Sequence, residues 1–359
     1  MYLNLDIIVW ISKGGTLLIK NKVIIIIPYF GKLPNYFKLW LESVRRNPDL
    51  DVLFLSNNNK PNDCPLNVKW IKTSLKNVKQ RAQSLVNFPI VLNTPYKLVD
   101  YKPLYGAMFL DYIDDYDWWG YGDVDTIWGN LALIINDNNL EKYDKILDLG
   151  HLTLLKNTDF MRNLWKQKIS GAWTYKDAFK SNLIYHFDEG GGMSFIAQKL
   201  NCKIYTEPAG KMSFADIIPN KHYFELAYDQ GDGKYAHIFT WKNGNLRGYW
   251  IKNNKIQYKD FSYIHLQKRK MTIAEDLHDV NQGFLIIPNA FLLLAGRKIN
   301  KKLFKKTVIC NDKKSEKGVS FISRLVTHFQ VSEFKRKGRN RKIPLNGNEV
   351  YFKVEEPKY

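Results

Sequence analysis

The sharpest local grouping of chemically capable residues is Gly122-Asp123-Val124-Asp125. Two carboxylates one residue apart converge on one point if the chain bends there. Their hard oxygens suit Mg2+ or Mn2+, a cation commonly shared with a diphosphate. Asp-x-Asp is frequent in proteins, and an exposed turn is its plain alternative. The aromatic run Tyr116-Asp117-Trp118-Trp119 before it, the flanking Gly122 and Gly129, and the apolar Val124 between the acids favour a built site. A second grouping is Tyr263-Ile264-His265-Leu266-Gln267-Lys268-Arg269-Lys270. His265, at a strand end, can complete a metal site with Asp123 and Asp125. Lys268, Arg269 and Lys270 can grip phosphates. Taken alone, the stretch also reads as a surface histidine beside solvated cations.

These groups need elements to hold them. Residues 23–27 are Val-Ile-Ile-Ile-Ile ending at Pro28, apolar on both faces, as in a central strand covered on both sides. Phe37, Trp40, Leu41 and Val44 recur at helical spacing, so residues 35–46 form an amphipathic helix. Strands follow at 51–55 and 68–71, completing a βαβ unit and hence a parallel sheet with a right-handed crossover. A helix is expected over 103–116 with Pro103 in its first turn. The acidic strand comes next, then one strand over 146–155 around Gly150-His151. Helices are expected over 157–168 and from about Gly192, and a strand over 201–206. A hairpin spans 247–258 and turns at Asn253-Asn254, and a last strand covers 261–266.

The chain has 359 residues, enough for one large domain or two. Its 45% hydrophobic and 14% aromatic content excludes general disorder. The net charge is +19, which calls for anionic partners such as phosphates, nucleic acid or acidic lipid. Residues 301–342 hold 14 Lys/Arg against Asp312, Glu316 and Glu333, a net +11, so most of the excess belongs to a C-terminal segment. Cys64, Cys202 and Cys310 lie far apart, which excludes a disulfide framework or a zinc finger and suits a reducing, cytoplasmic setting. No run approaches the roughly 18 apolar residues of a spanning helix. Residues 1–21 read as an N-terminal extension, with Ile7 to Ile11 as their one short apolar stretch.

Two carboxylates after a central strand and a late histidine followed by Lys or Arg resemble metal-dependent sugar-nucleotide glycosyltransferases of the GT-A fold. The chain is more closely similar to a bacterial group of glycosyltransferase-like proteins found with capsule and lipopolysaccharide genes. The matching phrases begin with Ile27-Pro28-Tyr29-Phe30-Gly31 and Asp117-Trp118-Trp119-Gly120-Tyr121-Gly122-Asp123-Val124-Asp125. Gly150-His151-Leu152-Thr153-Leu154-Leu155-Lys156-Asn157, Phe187-Asp188-Glu189-Gly190-Gly191 and His265-Leu266-Gln267-Lys268-Arg269 complete them. The resemblance implies a GT-A-like (Rossmann-like) α/β domain over 22–290, with a central, mostly parallel sheet flanked by helices. Residues 291–359 would be a basic C-terminal extension.

The resemblance also assigns roles. Asp123, Asp125 and His265 would hold Mn2+ or Mg2+, with Asp123 also positioning the metal or the donor ribose. Pro28, Tyr29, Phe30 and Gly31 follow the first strand, where ligands of parallel sheets lie, and would border the base of a nucleoside-diphosphate sugar donor, expected to be UDP-linked. Asn57 and Asn58 close the second strand and are similarly placed, or form an ordinary Asn-rich turn. Lys102, Lys268 and Lys270 would meet the diphosphate, although Lys102 reads equally as a solvated lysine. His151 would line the sugar pocket, or be a buried structural histidine. Asp188 and Glu189 would supply the general base of an inverting reaction, or cap the following helix. The chain lacks the Gly and Lys-Pro spacing that follows the histidine in retaining families, so inversion and retention both stay open.

The expected function is therefore transfer of a sugar to a hydroxyl of a surface-glycan acceptor, free or lipid-linked. The basic tail would dock the enzyme on the anionic inner face of the cell membrane. The competing reading is a nucleic-acid-binding protein or metal nuclease using Asp123, Asp125, His265 and the tail. No nucleic-acid motif supports it, and the tail's charge is not interleaved with aromatics as nucleic-acid binding would favour.

Overall fold

The computed structural model describes residues 20–207, 211–219, 221–228, 231–277, 279–308, 342–345 and 348–351. In chain order its strands are β1 (Val23–Tyr29), β2 (Leu50–Ser56), β3 (Val68–Lys72), β4 (Trp118–Gly122), β5 (Thr126–Trp128), β6 (Lys145–Leu149), β7 (Leu152–Lys156) and β8 (Ile204–Tyr205). They continue as β9 (Ala215–Asp216), β10 (Ile238–Lys242), β11 (Asn245–Lys252), β12 (Lys255–Phe261), β13 (Tyr263–His265), β14 (Thr272–Ile273), β15 (Phe284–Ile287) and β16 (Ala290–Leu293), and end in a separate two-stranded sheet, β17 (Lys342–Leu345) and β18 (Asn348–Tyr351). The protein is mixed α/β. Its central sheet has the order β3-β2-β1-β4-β7-β6-β8. The first four strands run parallel, β7 runs antiparallel to both β4 and β6, and β8 is parallel to β6.

The β1 run explains why this sheet lies in the middle. Ile25 and Ile27 face one core, with Trp40, Val52 and Phe54. Ile24 and Ile26 face the other, with Leu53, Tyr101, Leu104 and Trp119. Both faces are covered, and each buried aliphatic side chain contributes about 1.5–3 kcal/mol. Helix α1 (Phe37–Arg45) forms where the apolar spacing predicts it and buries Phe37, Trp40, Leu41 and Val44.

Several expected elements differ. The helix expected over 103–116 starts earlier, as a 3-10 helix at Pro95–Leu104, and breaks again between Tyr105–Met108 and Leu110–Ile113. Pro103 lacks the N–H that a continuous α-helix through this region would need. The single strand expected over 146–155 is the hairpin β6–β7, with Gly150 and His151 in its turn. The helix over 157–168 is reduced to Asp159–Arg162 and a 3-10 turn at Leu164–Lys166. The hairpin turning at Asn253-Asn254 is present, and both asparagines take the positive φ that such a tight turn needs.

The last expected strand does not join the central sheet. β13 lies between β5 and β9 in a three-stranded ribbon. A six-stranded sheet, β12-β11-β10-β15-β16-β14, packs beyond it. This sheet crosses residue 290. Phe304 and Val308, at and just after helix Lys301–Thr307, are buried against Ile238 and Leu285, so residues past 290 share its core. Most of the basic tail, residues 309–341, and residues 1–19 lie outside the described residues. Among the described residues no helix is long and apolar enough to cross a membrane.

Candidate metal centre and active site

The acidic turn is built where β4 gives way to β5. Val124 is buried in the core beneath the sheet, anchoring the turn between its two acids. The Asp123 backbone N–H donates to the His151 carbonyl at 3.2 Å, and the Thr126 hydroxyl donates to the Asp123 carbonyl at 2.7 Å. The Leu266 N–H donates to the Asp125 carbonyl at 2.7 Å, and His265 pairs across the ribbon with Thr126. Two stretches 140 residues apart in sequence are thereby locked together. One ligand atom each from Asp123, Asp125 and His265 falls within a mutual 4.8 Å. His265 Nε2 is 3.4 Å from Asp125 Oδ1, and the Lys268 backbone N–H donates to Asp125 Oδ2 at 2.7 Å.

The electrostatics follow from burial and pairing. Burial raises the Asp125 carboxyl's affinity for a proton, but His265 and the Lys268 N–H outweigh it and hold the group well below the usual carboxylate range. Burial likewise opposes charge on His265, while Asp125 and Asp216 together push it up to about 10. Without a cation the imidazole is therefore protonated, clasped between two carboxylates. Burial and the neighbouring His265 charge hold His151 down to about 4, so it is neutral.

Lys102 sits at the join between this centre and the acidic pair. Its buried ammonium donates to Asp123 Oδ1 at 2.8 Å and to the Gly150 carbonyl at 3.0 Å, and lies 3.5 Å from Asp188 Oδ2. Burial opposes its charge, but Asp123, Asp188 and Glu189 hold it protonated. Asp188 is fully buried, and neither oxygen accepts a hydrogen bond from a described residue. Burial, reinforced by Glu189 and moderated by Lys102, raises it to about 7. Glu189 accepts from the Gly150 N–H at 2.8 Å. Glycine at 150 leaves room for this pair, because a Cβ would meet Asp188 Oδ2 at 2.3 Å and Glu189 Oε1 at 2.8 Å and one side would have to shift.

The other expected residues fall as follows. The Asn57 side chain accepts from the Gly31 N–H at 3.0 Å, and Asn58 donates to the Gly31 carbonyl at 2.8 Å. The turns after β1 and β2 are thus clasped together, with Gly31 at φ +104°. Pro28 and Tyr29 are half-buried and Phe30 is buried. The Tyr29 ring stacks on Phe54 and its hydroxyl donates to the Lys32 carbonyl at 3.1 Å. His151 is buried against the His265 ring, with centroids 4.4 Å apart, and beside the Tyr263 hydroxyl at 3.0 Å from Nδ1. The Lys268 ammonium lies over the Tyr96 ring at 3.7 Å, and Lys270 is exposed. Arg269 bonds Asn289 at 2.6 Å and packs over Phe224, tying the turn to its surroundings.

Sequence reasoning missed Asp216. It is buried, accepts from His265 Nδ1 at 2.8 Å and Gln267 Nε2 at 2.6 Å, and lies 3.9 Å from His151 Nε2. Its only sequence signal is an acid in the apolar phrase Phe214-Ala215-Asp216-Ile217-Ile218.

Residues 25–295 match the Family of unknown function (DUF6625), and the chain belongs to that family. No curated protein matches the chain.

Proposed function

We propose that this DUF6625 member is a metal-dependent glycosyltransferase that moves a sugar from a nucleoside-diphosphate donor to a hydroxyl of a surface glycan. The observation that carries the reading is the convergence of Asp123, Asp125 and His265 at the carboxyl end of β4. Ligands of open α/β sheets bind at that end. The strand order supports a GT-A-like fold: a parallel run β3-β2-β1-β4 is extended by one antiparallel strand, β7, and then by β6 and β8, and the candidate metal turn follows the strand beside β1.

The donor set fits a divalent cation. Two carboxylates and one imidazole are an acceptable first coordination set for Mn2+, and the imidazole favours it over Mg2+. Such an ion, when bound, neutralises charge on a leaving diphosphate. The turns after β1 and β2, clasped through Asn57, Asn58 and Gly31, would flank the nucleotide. Lys102 would hold Asp123 in place and supply fixed positive charge beside the diphosphate. Asp188, raised to about 7, has the proton affinity that a general base for an acceptor hydroxyl requires, although its oxygens are enclosed. Glu189, half-buried and fixed by the Gly150 N–H, is the other candidate for that role.

Calorimetric titration with Mn2+, alone and with nucleoside diphosphates, tests the reading, with duplex DNA as the control for a nuclease. Mn2+-dependent binding of a nucleoside diphosphate is expected, and replacement of Asp125 by Ala should abolish it without unfolding the protein. Full Mn2+-dependent activity in Asp125→Ala, or DNA binding with no nucleotide binding, would sink the proposal.

A further inference from the structure

We propose that Asp216 is the positioning residue of the metal centre, holding the His265 ring so that Nε2 is offered toward Asp125 as a ligand. The inference rests on the cation reading above and adds a residue to it. Three independent features carry it.

The first is backbone register. β13 pairs in parallel with β9, setting His265 opposite Asp216, and pairs antiparallel with β5 on its other side, setting His265 opposite Thr126. Asp216, on β9, and Asp125, in the turn just before β5, therefore flank the imidazole from opposite sides. The second is hydrogen bonding. A carboxylate only accepts, so the nitrogen that bonds Asp216, Nδ1 at 2.8 Å, must carry a proton. The other ring nitrogen, Nε2, lies 3.4 Å from Asp125 Oδ1 and so faces the acidic turn rather than Asp216. A carboxylate behind a histidine fixes both tautomer and ring orientation in this way.

The third is the turn after His265. The Arg269 N–H donates to the Leu266 carbonyl at 2.9 Å, and the two residues between, Gln267 and Lys268, have φ of +52° and +57°. Neither is glycine or asparagine, the usual occupants, so the turn is held in a conformation that its own residue types disfavour. Its two central residues bond the two carboxylates. The Gln267 amide donates to Asp216, and the Lys268 N–H donates to Asp125. The turn thus braces both sides of the His265 ring at once. Asp216 is also only 3% exposed, so it has little freedom to turn away.

The test is Asp216→Asn in the full chain, titrated with Mn2+ alone. An amide of the same shape can present an N–H to Nδ1, favouring the tautomer whose proton sits on Nε2. Mn2+ affinity is expected to fall by about 10–100-fold, as for other residues behind metal ligands. Pulsed EPR of the Mn2+-saturated variant is expected to lose the directly bound imidazole nitrogen that the wild type shows. A merely structural role for Asp216 would lower the melting temperature and leave that nitrogen signal in place, which would overturn the inference. Equal Mn2+ affinity in variant and wild type would overturn it while leaving the cation reading intact. Absence of Mn2+ binding by the wild type would overturn both. If the variant does not fold, nitrogen NMR of the Mg2+-loaded wild type decides: a His265 proton on Nδ1 supports the inference, and one on Nε2 refutes it.

Discussion

Replacing Asp188 by Asn should make the protein more stable near neutral pH and abolish the pH dependence this carboxyl imposes. Asp188 is fully buried, with Lys102, Glu189, His186 and Asp123 as the charged groups acting on it. Its folded pKa, about 7, lies about three units above the ordinary 3.8, so the folded state binds its proton more tightly than the unfolded chain. The stability this provides is fully present below pH 3.8 and is lost as pH rises through about 7. At about 1.4 kcal/mol per unit, the total is about 3–5 kcal/mol. Asn mimics the protonated carboxyl, and Lys102 keeps Asp123 and the Gly150 carbonyl as partners. Urea unfolding at about pH 4 should therefore give similar stabilities for both proteins, whereas at about pH 8 the variant should be more stable by a few kcal/mol. Parallel stability curves, with no crossover in slope, would refute the assignment of a strained carboxyl here. The same variant should lose transferase activity if Asp188 is the base, a trade of stability against function.

Lys102→Met should destabilise the protein by about 3–5 kcal/mol near pH 8, because it leaves Asp188 buried without its cation. The loss should shrink near pH 4, where Asp188 is protonated; a pH-independent loss in chemical denaturation would contradict the pairing. Gly150→Ala would push a methyl group into Asp188 and Glu189, costing about 1–3 kcal/mol and displacing both carboxylates; an unchanged melting temperature would rule out the close approach. The basic segment 301–342, net +11, should carry the protein onto anionic vesicles, each Lys or Arg contributing roughly 1 kcal/mol. Sedimentation with graded anionic lipid checks this. Binding lost at high salt is expected, and binding that survives deletion of the tail, or needs no anionic lipid, would reject it.

The parts legible in the sequence are those in which one local pattern dictates one environment. The five-residue run at the start of β1 has no polar face and is wholly β-branched, with Pro28 just after it, so it reads as a strand covered on both sides. The apolar residues of α1 recur at helical spacing and are the ones buried. Asp123, Asp125 and His265 were recoverable because strand ends and residue chemistry both point to them, and they do converge. The six-stranded sheet was only partly legible. Its hairpin announces itself through Asn253-Asn254, but β14 spans two residues and β15 and β16 four each, too short for periodicity to separate from loop.

The residues that the sequence misrepresents are charged ones whose partners lie on other elements. Lys97, Asp100 and Lys102 sit within six residues and look like a solvated helix face. All three are buried. Lys97 bonds Asp100 at 2.6 Å, and Asp100 accepts from the Tyr185 and Phe187 N–H groups at 3.1 and 3.0 Å, fixing the chain just before Asp188. Lys102, on the same 3-10 helix, holds Asp123. One short helix therefore grips both halves of the candidate site, Asp188 and Glu189 through Asp100 and the Asp123–Asp125 turn through Lys102. Burying such charges is unfavourable unless each is paired and hydrogen-bonded. Here each partner comes from a segment at least 21 residues away or from the helix itself. No local pattern records that pairing. It is also why Asp216, whose histidine partner lies 49 residues on, emerges only when the ribbon β5-β13-β9 sets the two side by side.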